Sequence, residues 1–242
     1  MRISLILNPR ETLDEIILPL DFRRHFISFV KTVLSDSRVF TRFELKRPGY
    51  SPYVFTVNFR KIVDIDKKKQ EMRVKSPVYV LFSTGVYEVF TAFCNGAISL
   101  KGKEIVLGLE VQGINLLPLK KINTSPQNFK ILGHVVLRGK SGYLAADTIT
   151  KEEIEEAINE HLFKQYEFIQ REYGGCPIYD LEEIEVLTEQ SNFYKGVCHH
   201  YGGWLTTLQG NIVINGSPDS MQFLYDFGLG VRNGQGFGFL EV

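Results

Sequence analysis

A glycine-rich stretch near the C-terminus carries residue types that suit an anion site. Residues 228–238 follow the pattern Gly-apolar-Gly, five residues, Gly-apolar-Gly, and its four flanking glycines are Gly228, Gly230, Gly236 and Gly238. Arg232 and Asn233 lie in the five-residue interval. Exposed backbone N–H groups with one guanidinium among them suit a phosphate. A hairpin turning at Asn233-Gly234 would show the same glycines, so local chemistry leaves both interpretations open.

A second group of polar residues lies on one face of a predicted helix over residues 21–34. The apolar residues of this segment recur at helical spacing, and the opposite face carries Arg24, His25, Ser28 and Lys31. A histidine with a near-neutral pKa can act as a base or as an acid. The basic loop that follows adds Lys46, Arg47 and Tyr50. A solvated helix face would look the same, and this alternative also stays open.

The sequence Cys198-His199-His200 raises the question of a metal site. Adjacent residues on a strand point to opposite faces of a sheet, so the two histidines are poorly placed to share one ion. The other two cysteines lack paired metal spacing, and so few cysteines favour a reducing cytoplasm. We therefore expect no metal and no cofactor. His134 and His161, in a predicted strand and a predicted helix, are interpreted as structural.

The overall composition allows one large domain or two ordinary ones. The chain has 242 residues, 44% of them hydrophobic, and no apolar run is long enough to suggest a membrane span. A net charge of zero gives no support to nucleic-acid binding. The charges are uneven, however: residues 23–47 are basic and residues 151–189 are acidic. This asymmetry can leave one face positive, or it can reflect two ordinary solvated surfaces.

The order of predicted elements indicates a ferredoxin-like arrangement in the first half. The patterns predict helices over 21–34 and 85–95, the second ended by Gly96, and strands over 2–7, 53–63, 72–82 and 104–113. This order is β-α-β-β-α-β. We expect a first domain over residues 1–118.

The second half is predicted to repeat this architecture after a connector at 115–126. The patterns predict helices over 151–173 and 218–225, a closing pair of glycine-rich strands, and strands over 129–138, 182–188, 194–198 and 211–214. Residues 201–209 fit either a strand or a short helix. The predicted fold is thus α+β, with tandem ferredoxin-like domains, antiparallel sheets and a second domain over residues 122–242.

With these elements in place, the chain resembles the CRISPR-associated repeat-processing endoribonucleases of the repeat-associated mysterious protein superfamily. The C-terminal glycine-rich loop of that family has the pattern of residues 228–238, including a basic residue in the interval, here Arg232. Residues 18–22, which enter the first helix, and 53–56, which open the second strand, are also similar. The resemblance spans essentially the whole chain, and the loop is its most specific part.

The resemblance implies a fold, a substrate and a reaction. Family members have two ferredoxin-like domains and bind the repeats of a precursor CRISPR transcript. They cut once per repeat without metal and leave a 2′,3′-cyclic phosphate and a 5′-hydroxyl. The guide RNA then passes to an effector complex. The implied partners are therefore repeat RNA, as precursor and as guide, and effector proteins, with no membrane involved and with a monomer and a homodimer both open.

The resemblance also assigns candidate site residues. Many relatives use a histidine on or just after the first helix, a tyrosine on that helix and a lysine in the following loop. Here Lys31 stands at the tyrosine position, and the histidine position near Phe43 holds no histidine. The candidates for acid–base work are then His25, Lys31, Lys46 and Tyr50. The candidates for RNA contact are Arg24, Ser28, Arg47, Gly228, Gly230, Arg232, Asn233, Gly236 and Gly238.

Two other functions share this ancestry. The missing histidine favours a module that holds repeat or guide RNA without cutting it. A subunit packed along the guide in an effector complex would have the same superfamily fold. The sequence leaves open whether the repeat is bound as a hairpin or as a single strand.

Overall fold

The computed structural model describes residues 1–11, 13–38, 50–140, 142–173 and 176–242. Within these ranges the helices are α1 (Phe22–Leu34), α2 (Tyr87–Ser99), α3 (Lys151–Glu172) and α4 (Pro218–Phe227). The strands are β1 (Arg2–Pro9), β2 (Glu15–Pro19), β3 (Val54–Phe59), β4 (Ile62–Asp66), β5 (Glu71–Lys75), β6 (Val78–Ser83), β7 (Glu104–Val106), β8 (Leu109–Leu116), β9 (Gln127–Val135), β10 (Arg138–Gly139), β11 (Gly142–Tyr143), β12 (Glu185–Val186), β13 (Asn192–His200), β14 (Gly203–Asn215) and β15 (Leu240–Glu241).

Each half of the chain builds one main antiparallel sheet with two helices. The first sheet has the strand order β3-β6-β1-β8-β7, and the second has the order β12-β14-β9-β15, with β13 also paired to β14. Read along the chain, β1-α1-β3-β6-α2-β8 and β9-α3-β13-β14-α4-β15 are both β-α-β-β-α-β. The tandem ferredoxin-like fold is therefore confirmed. The domain limits at residues 118 and 122 stay a prediction.

Helix α1 forms because its apolar residues recur every three or four positions. Phe26, Phe29, Val30 and Val33 are all buried, as the spacing predicts. Helix α3 begins with a capping box, in which the Thr150 hydroxyl accepts a hydrogen bond from the Glu153 backbone N–H at 3.2 Å. The Glu153 carboxylate accepts the Thr150 backbone N–H at 3.0 Å in return. Both helices thus lie close to where the sequence puts them.

Two predicted strands each divide into two. The segment 53–63 becomes β3 and β4, and the segment 72–82 becomes β5 and β6. The second break falls at Ser76-Pro77, where proline has no N–H to give to a sheet. Strands β4 and β5 then join β2, which the sequence patterns missed, in a separate three-stranded sheet of order β2-β5-β4.

Gly96 does not end the second helix, contrary to the prediction. Helix α2 continues to Ser99. A Cβ atom added at Gly96 would lie 1.7 Å from the carbonyl oxygen of Val33. The glycine is therefore explained by the close crossing of α2 over α1 and not by helix termination.

The last third of the chain also departs from the prediction. Residues 201–209 are not helical, and most of them join 211–214 in the single long strand β14, whereas the strand predicted over 182–188 is only β12. The expected closing hairpin is wrong: Asn233–Gln235 form one turn of 3₁₀ helix, and only β15 is a strand. Positive φ angles recur through this segment, at Gly228, Gly230, Arg232, Gly236 and Gly238, and extended strands do not accommodate them.

The two halves are joined by Arg2, a buried cation. Its Nη1 donates to the Leu240 carbonyl at 2.7 Å, its Nη2 donates to the Tyr225 carbonyl, and its guanidinium carbon lies 3.3 Å from the centre of the Tyr225 ring. Burial lowers the pKa of Arg2 to about 10, partly offset by Tyr225 and Asp226. The start of the chain is thereby fixed to its end. Across the described ranges, no helix is both long enough and apolar enough to cross a bilayer.

Candidate functional site

The glycine-rich turn, residues 228–238, is held by backbone hydrogen bonds to itself and to the end of β9. The Leu229 N–H donates to the Gly238 carbonyl at 2.9 Å, which closes the turn. The Gly238 N–H donates to the His134 carbonyl at 2.8 Å, and the Val231 N–H donates to the Val136 carbonyl at 2.9 Å. The turn therefore has a fixed position on the second sheet.

The missing side chains of the four flanking glycines leave room for other parts of the protein. Gly230 has a φ of +78°, and an added Cβ would lie 2.3 Å from the Val136 carbonyl oxygen. At Gly238, with a φ of +81°, an added Cβ would lie 2.4 Å from the Leu229 carbonyl oxygen. Gly228 and Gly236 are buried as well. Close packing within the protein already accounts for the absence of a side chain at these glycines. Contacts between them and RNA stay a prediction.

The turn lies beside helix α1 and strand β3. An added Cβ at Gly236 would lie 3.3 Å from the Phe55 ring and 3.8 Å from Cδ of Arg23. The Arg23 guanidinium in turn lies 5.0 Å from the centre of the Phe237 ring. Arg23 is buried, and this burial lowers its pKa, opposed by Cys198 and Asp21. The turn and the basic first helix are therefore neighbours, although Arg23 itself faces inward.

Arg232 is the cation of the turn, and its guanidinium is oriented by two side chains. Nη1 donates to Gln235 Oε1 at 2.9 Å, and Nη2 donates to the Tyr143 hydroxyl at 2.6 Å. Gln235 Oε1 also lies 3.0 Å from Nε2 of His200, which is buried behind the turn. These bonds use two of the five N–H donors of the guanidinium. A half-exposed, oriented guanidinium is suited to binding an anion.

Asn233 and Gly234 serve the packing of the turn. The side-chain amide of Asn233 is buried and donates to the Phe227 carbonyl at 2.9 Å. Gly234 lies directly over Ser51, since an added Cβ would be 2.0 Å from the Ser51 hydroxyl oxygen. Ser51 directly follows Tyr50 in the chain, so this second contact brings the turn close to Tyr50.

Tyr50 is hydrogen-bonded to a histidine from the other half. Its hydroxyl lies 2.8 Å from Nδ1 of His161 on α3, and Nε2 of His161 lies 2.8 Å from the Arg138 carbonyl oxygen. Burial raises the pKa of Tyr50 to about 12, and the charge of Glu160 adds to the shift. Arg138 is paired with Tyr143 in the β10–β11 hairpin. A continuous series of contacts therefore connects Tyr50 to Arg232.

The predicted residues on α1 lie along its polar face. Arg24 and Ser28 are exposed, whereas His25 and Lys31 are half-buried. The Arg24 Nε–H donates to His25 Nε2 at 3.3 Å. The pKa of His25 is lowered, first by burial and then by the charge of Arg24, against an opposing effect of Asp21. Lys46 and Arg47, the remaining candidates, lie outside the described residues.

A cleft of about 510 Å³ opens between the two halves. Its lining includes the exposed cations Lys67 and Lys130, together with His199 and Trp204 from the β13–β14 hairpin. Trp204 is 64% exposed and packs edge-on against His199 at 5.2 Å between ring centres. Only His199 among these residues belongs to a motif that the sequence raised. Residues 201–209 do not alternate between apolar and polar types, so the sequence carried no signal for the outward position of Trp204.

The Cys198-His199-His200 segment has the geometry expected of a strand. His200 is buried against the turn, whereas His199 faces the cleft. Within the ranges that the structure describes, no group of three His, Cys, Asp or Glu side chains lies close enough to hold a metal ion. Each histidine thus has its own surroundings.

Comparisons with known proteins place this geometry in a family context. The family model described as CRISPR associated protein Cas6, C-terminal, matches residues 117–242. A solved structure described as a Cas6-related gene product from Pyrococcus furiosus is 17% identical, with a TM-score of 0.77, covering 100% of this chain and 97% of the other. A search among curated proteins found no match.

Two further solved structures share the fold over the whole chain. One is described as an RAMP protein binding different RNA substrates; it is 19% identical, with a TM-score of 0.76 and coverage of 100% of this chain and 98% of the other. Another, described as CRISPR associated protein Cas6, is also 19% identical, with a TM-score of 0.68 and coverage of 100% and 98%. At these identities the likeness establishes the fold.

Proposed function

The chain belongs to the Cas6 family of CRISPR-associated proteins, and we propose that it is an endoribonuclease that cuts precursor CRISPR RNA within its repeats without a metal ion. Family membership supports the broader role, the processing or binding of CRISPR RNA. The similar RAMP protein described as binding different RNA substrates supports RNA as the ligand.

The observation that carries the proposal is that Arg232 and Tyr50 are both held by contacts of the glycine-rich turn and its neighbours. The half-exposed Arg232 guanidinium is held by Tyr143 and Gln235, and Tyr50 lies next to Ser51, against which the same turn packs. We propose that a phosphate bound at Arg232 is thereby presented to residues that can move protons. This arrangement also depends on both halves of the fold, which is the functional reason we propose for two domains, over residues 1–118 and 122–242.

The proposed reaction is attack of a ribose 2′-hydroxyl on the adjacent phosphate. One group takes the 2′-proton and another protonates the leaving 5′-oxygen, which gives a 2′,3′-cyclic phosphate and a 5′-hydroxyl. The candidates for these transfers are Tyr50, His25, Lys31 and Lys46. Arg232 stabilises the negative charge that gathers on the phosphate oxygens. Since a guanidinium supplies this stabilisation, the reaction requires no metal ion.

The exposed residues of α1 and the cleft between the halves provide surfaces for the rest of the RNA. Arg24 and Ser28 offer contacts to the sugar–phosphate backbone, and Arg47, which lies outside the described residues, is proposed as a further contact. In the cleft, Lys67 and Lys130 can bind phosphates while Trp204 stacks with an unpaired base. We propose that the processed guide RNA remains the partner of the protein until effector proteins receive it.

The test is a cleavage assay with EDTA present. Purified protein is incubated with RNA carrying the CRISPR repeat of its source genome and, as a matched control, with the same RNA bearing a 2′-deoxyribose before the scissile phosphate. We expect one cut per repeat in the first RNA and none in the second. Tight, salt-dependent binding without a product would instead indicate an RNA-holding protein. Micromolar binding that ignores sequence would contradict both functions.

A further inference from the structure

The Tyr50–His161 hydrogen bond has a direction that its surroundings define. The Arg138 carbonyl oxygen can only accept a hydrogen bond, so Nε2 of His161, 2.8 Å away, carries the proton. In a neutral imidazole the other nitrogen is then an acceptor. Nδ1 therefore accepts from the Tyr50 hydroxyl across 2.8 Å. The tyrosine proton points at a basic nitrogen.

The two residues differ in access to a substrate. His161 is only 8% exposed, and both of its nitrogens are engaged within the protein. Tyr50 is half-buried, at the edge of the site beside the residue that packs against Gly234. Tyr50 is therefore the more exposed member of the pair, and His161 can act on a substrate only through it.

We propose that His161 is a positioning residue and the proton acceptor behind Tyr50, and that together they activate the 2′-hydroxyl of the RNA. This inference rests on the proposed function. As the 2′-O–H bond breaks, its proton passes to the Tyr50 oxygen, and the original phenolic proton passes to His161 Nδ1. The electron pair left on the 2′-oxygen forms the bond to phosphorus, and the bond from phosphorus to the 5′-oxygen breaks. A separate acid, Lys31 or His25, protonates the 5′-oxygen.

This route avoids a free phenolate. Burial raises the pKa of Tyr50 to about 12, so ionising the tyrosine alone at neutral pH is unfavourable. With His161 receiving the proton, the tyrosine oxygen is never left charged. The charge appears instead on an imidazolium whose Nε2–H still donates to the Arg138 carbonyl. Both hydrogen bonds of the resting state survive the transfer.

The charged groups around His161 keep it neutral before the reaction and tolerate its charge afterwards. Burial lowers the pKa of His161 below its ordinary value, and the charges of Lys164 and Arg138 act in the same direction. The Arg138 carbonyl and the carboxylate of Glu160 oppose this effect. Glu160 is ion-paired with Lys164, and Lys140 is close enough to lower its pKa. At neutral pH His161 is therefore an unprotonated acceptor.

The variant His161→Gln separates a proton-accepting role from a structural one. Glutamine offers a carbonyl acceptor to Tyr50 and an amide donor to the Arg138 carbonyl, but it takes no proton at neutral pH. Single-turnover cleavage of repeat RNA in EDTA is measured for wild type, His161→Gln, Tyr50→Phe and the double variant. Tyr87→Phe is the matched control, since the Tyr87 side chain is exposed on α2 and takes part in none of the contacts described for the site.

We expect His161→Gln and Tyr50→Phe each to slow cleavage by about 100-fold or more, and the double variant to be no slower than the slower single. RNA dissociation constants and melting temperatures should match those of Tyr87→Phe. The wild-type rate should fall as the pH drops below the ordinary pKa range of histidine, because His161 then becomes protonated, and this fall should vanish in His161→Gln.

Two results would overturn the inference, and they differ in what else they overturn. If the wild-type protein cuts the repeat and His161→Gln cuts it with the same rate and pH profile, His161 has no role in the reaction, and the endoribonuclease function is unaffected. A wild-type protein that binds the repeat but never cuts it would remove both. A slow His161→Gln variant that also melts early or loses RNA affinity would show a structural role only.

Discussion

Arg232 in the glycine-rich turn donates a hydrogen bond from Nη2 to the hydroxyl of Tyr143, which lies 89 positions earlier in the β10–β11 hairpin. The tyrosine is paired with Arg138, whose carbonyl oxygen accepts from His161. One short hairpin therefore links the cation of the turn to the histidine that holds Tyr50. The two ends of the proposed site are positioned by the same piece of backbone.

Replacing Arg232 by glycine should separate activity from stability. Arg232 has a φ of +64°, a left-handed conformation that costs a non-glycine residue about 1 kcal/mol. Glycine relieves this cost and loses two partly exposed hydrogen bonds of similar worth, so the free energy of unfolding should change by less than about 1 kcal/mol. The single-turnover cleavage rate should fall by about 100-fold or more, since transition-state charge loses its partner.

The matched control for this variant is Arg10→Gly, which removes an exposed guanidinium far from the turn in sequence. It should leave the cleavage rate unchanged. Urea unfolding and single-turnover assays on both variants give the comparison. An Arg232→Gly protein that cuts at the wild-type rate would show that the guanidinium takes no part in catalysis.

Replacing Gly230 by alanine should lower the free energy of unfolding of the protein even when no RNA is bound. The added Cβ would lie 2.3 Å from the Val136 carbonyl oxygen at a φ of +78°, so the strain and the overlap together should cost about 2–4 kcal/mol. Gly108→Ala is the control, because Gly108 has a φ of +74° and nothing within 4 Å of an added Cβ. That variant should lose only about 1 kcal/mol in urea unfolding. Equal losses at the two positions would contradict the packing role.

The sequence predicted elements whose signals are local. The spacing of Phe26, Phe29 and Val33 predicts α1 because a helix face is defined within a few turns. The pattern over 228–238 identified the turn for the same reason. It did not distinguish a phosphate loop from close packing, since both require the absence of a Cβ, and the structure now provides a packing reason at each of the four flanking glycines.

The residues that the sequence missed depend on contacts between distant segments. The sequence predicts a structural role for His161 and no partner for it, whereas the structure shows a bond to Tyr50 across 111 positions. Tyr143 and Gln235 carry no motif of their own, and they matter because they orient Arg232. Gly96 was misjudged as a helix end because the carbonyl that it approaches belongs to another helix. No local period encodes such partners.

A substrate with sulfur in place of the leaving 5′-oxygen should identify the acid. A thiolate leaves without a proton, so a variant lacking only the general acid cuts this RNA at the wild-type rate. We expect Lys31→Met to be slow on the oxygen substrate and rescued by sulfur, because the Lys31 side chain is the proposed proton donor to the leaving 5′-oxygen. The lowered pKa of His25 leaves this side chain largely neutral at neutral pH. The cleavage rate of His25→Ala should therefore gain less than that of Lys31→Met when sulfur replaces the leaving oxygen.

Tyr50→Phe is the control for this experiment, since a variant that cannot activate the 2′-hydroxyl should stay slow on both substrates. Rescue of His25→Ala and not of Lys31→Met would assign the acid to the histidine. Rescue of neither would place the acid in another residue, with Lys46 the remaining candidate.

Trp204 should report RNA entering the cleft. It is the only tryptophan of the chain and is 64% exposed, so a base stacked on the indole should quench the intrinsic tryptophan fluorescence of the wild-type protein as repeat RNA is added.

Base–aromatic stacking is worth about 1–3 kcal/mol, and Trp204→Ala should therefore raise the dissociation constant for repeat RNA by about 5- to 150-fold. The cleavage rate at saturating protein should stay near wild type, because the proposed reaction takes place at the turn and not in the cleft. Tyr87→Ala, another exposed aromatic, should change neither value. Fluorescence that does not respond to saturating repeat RNA would mean that the strand follows a different surface.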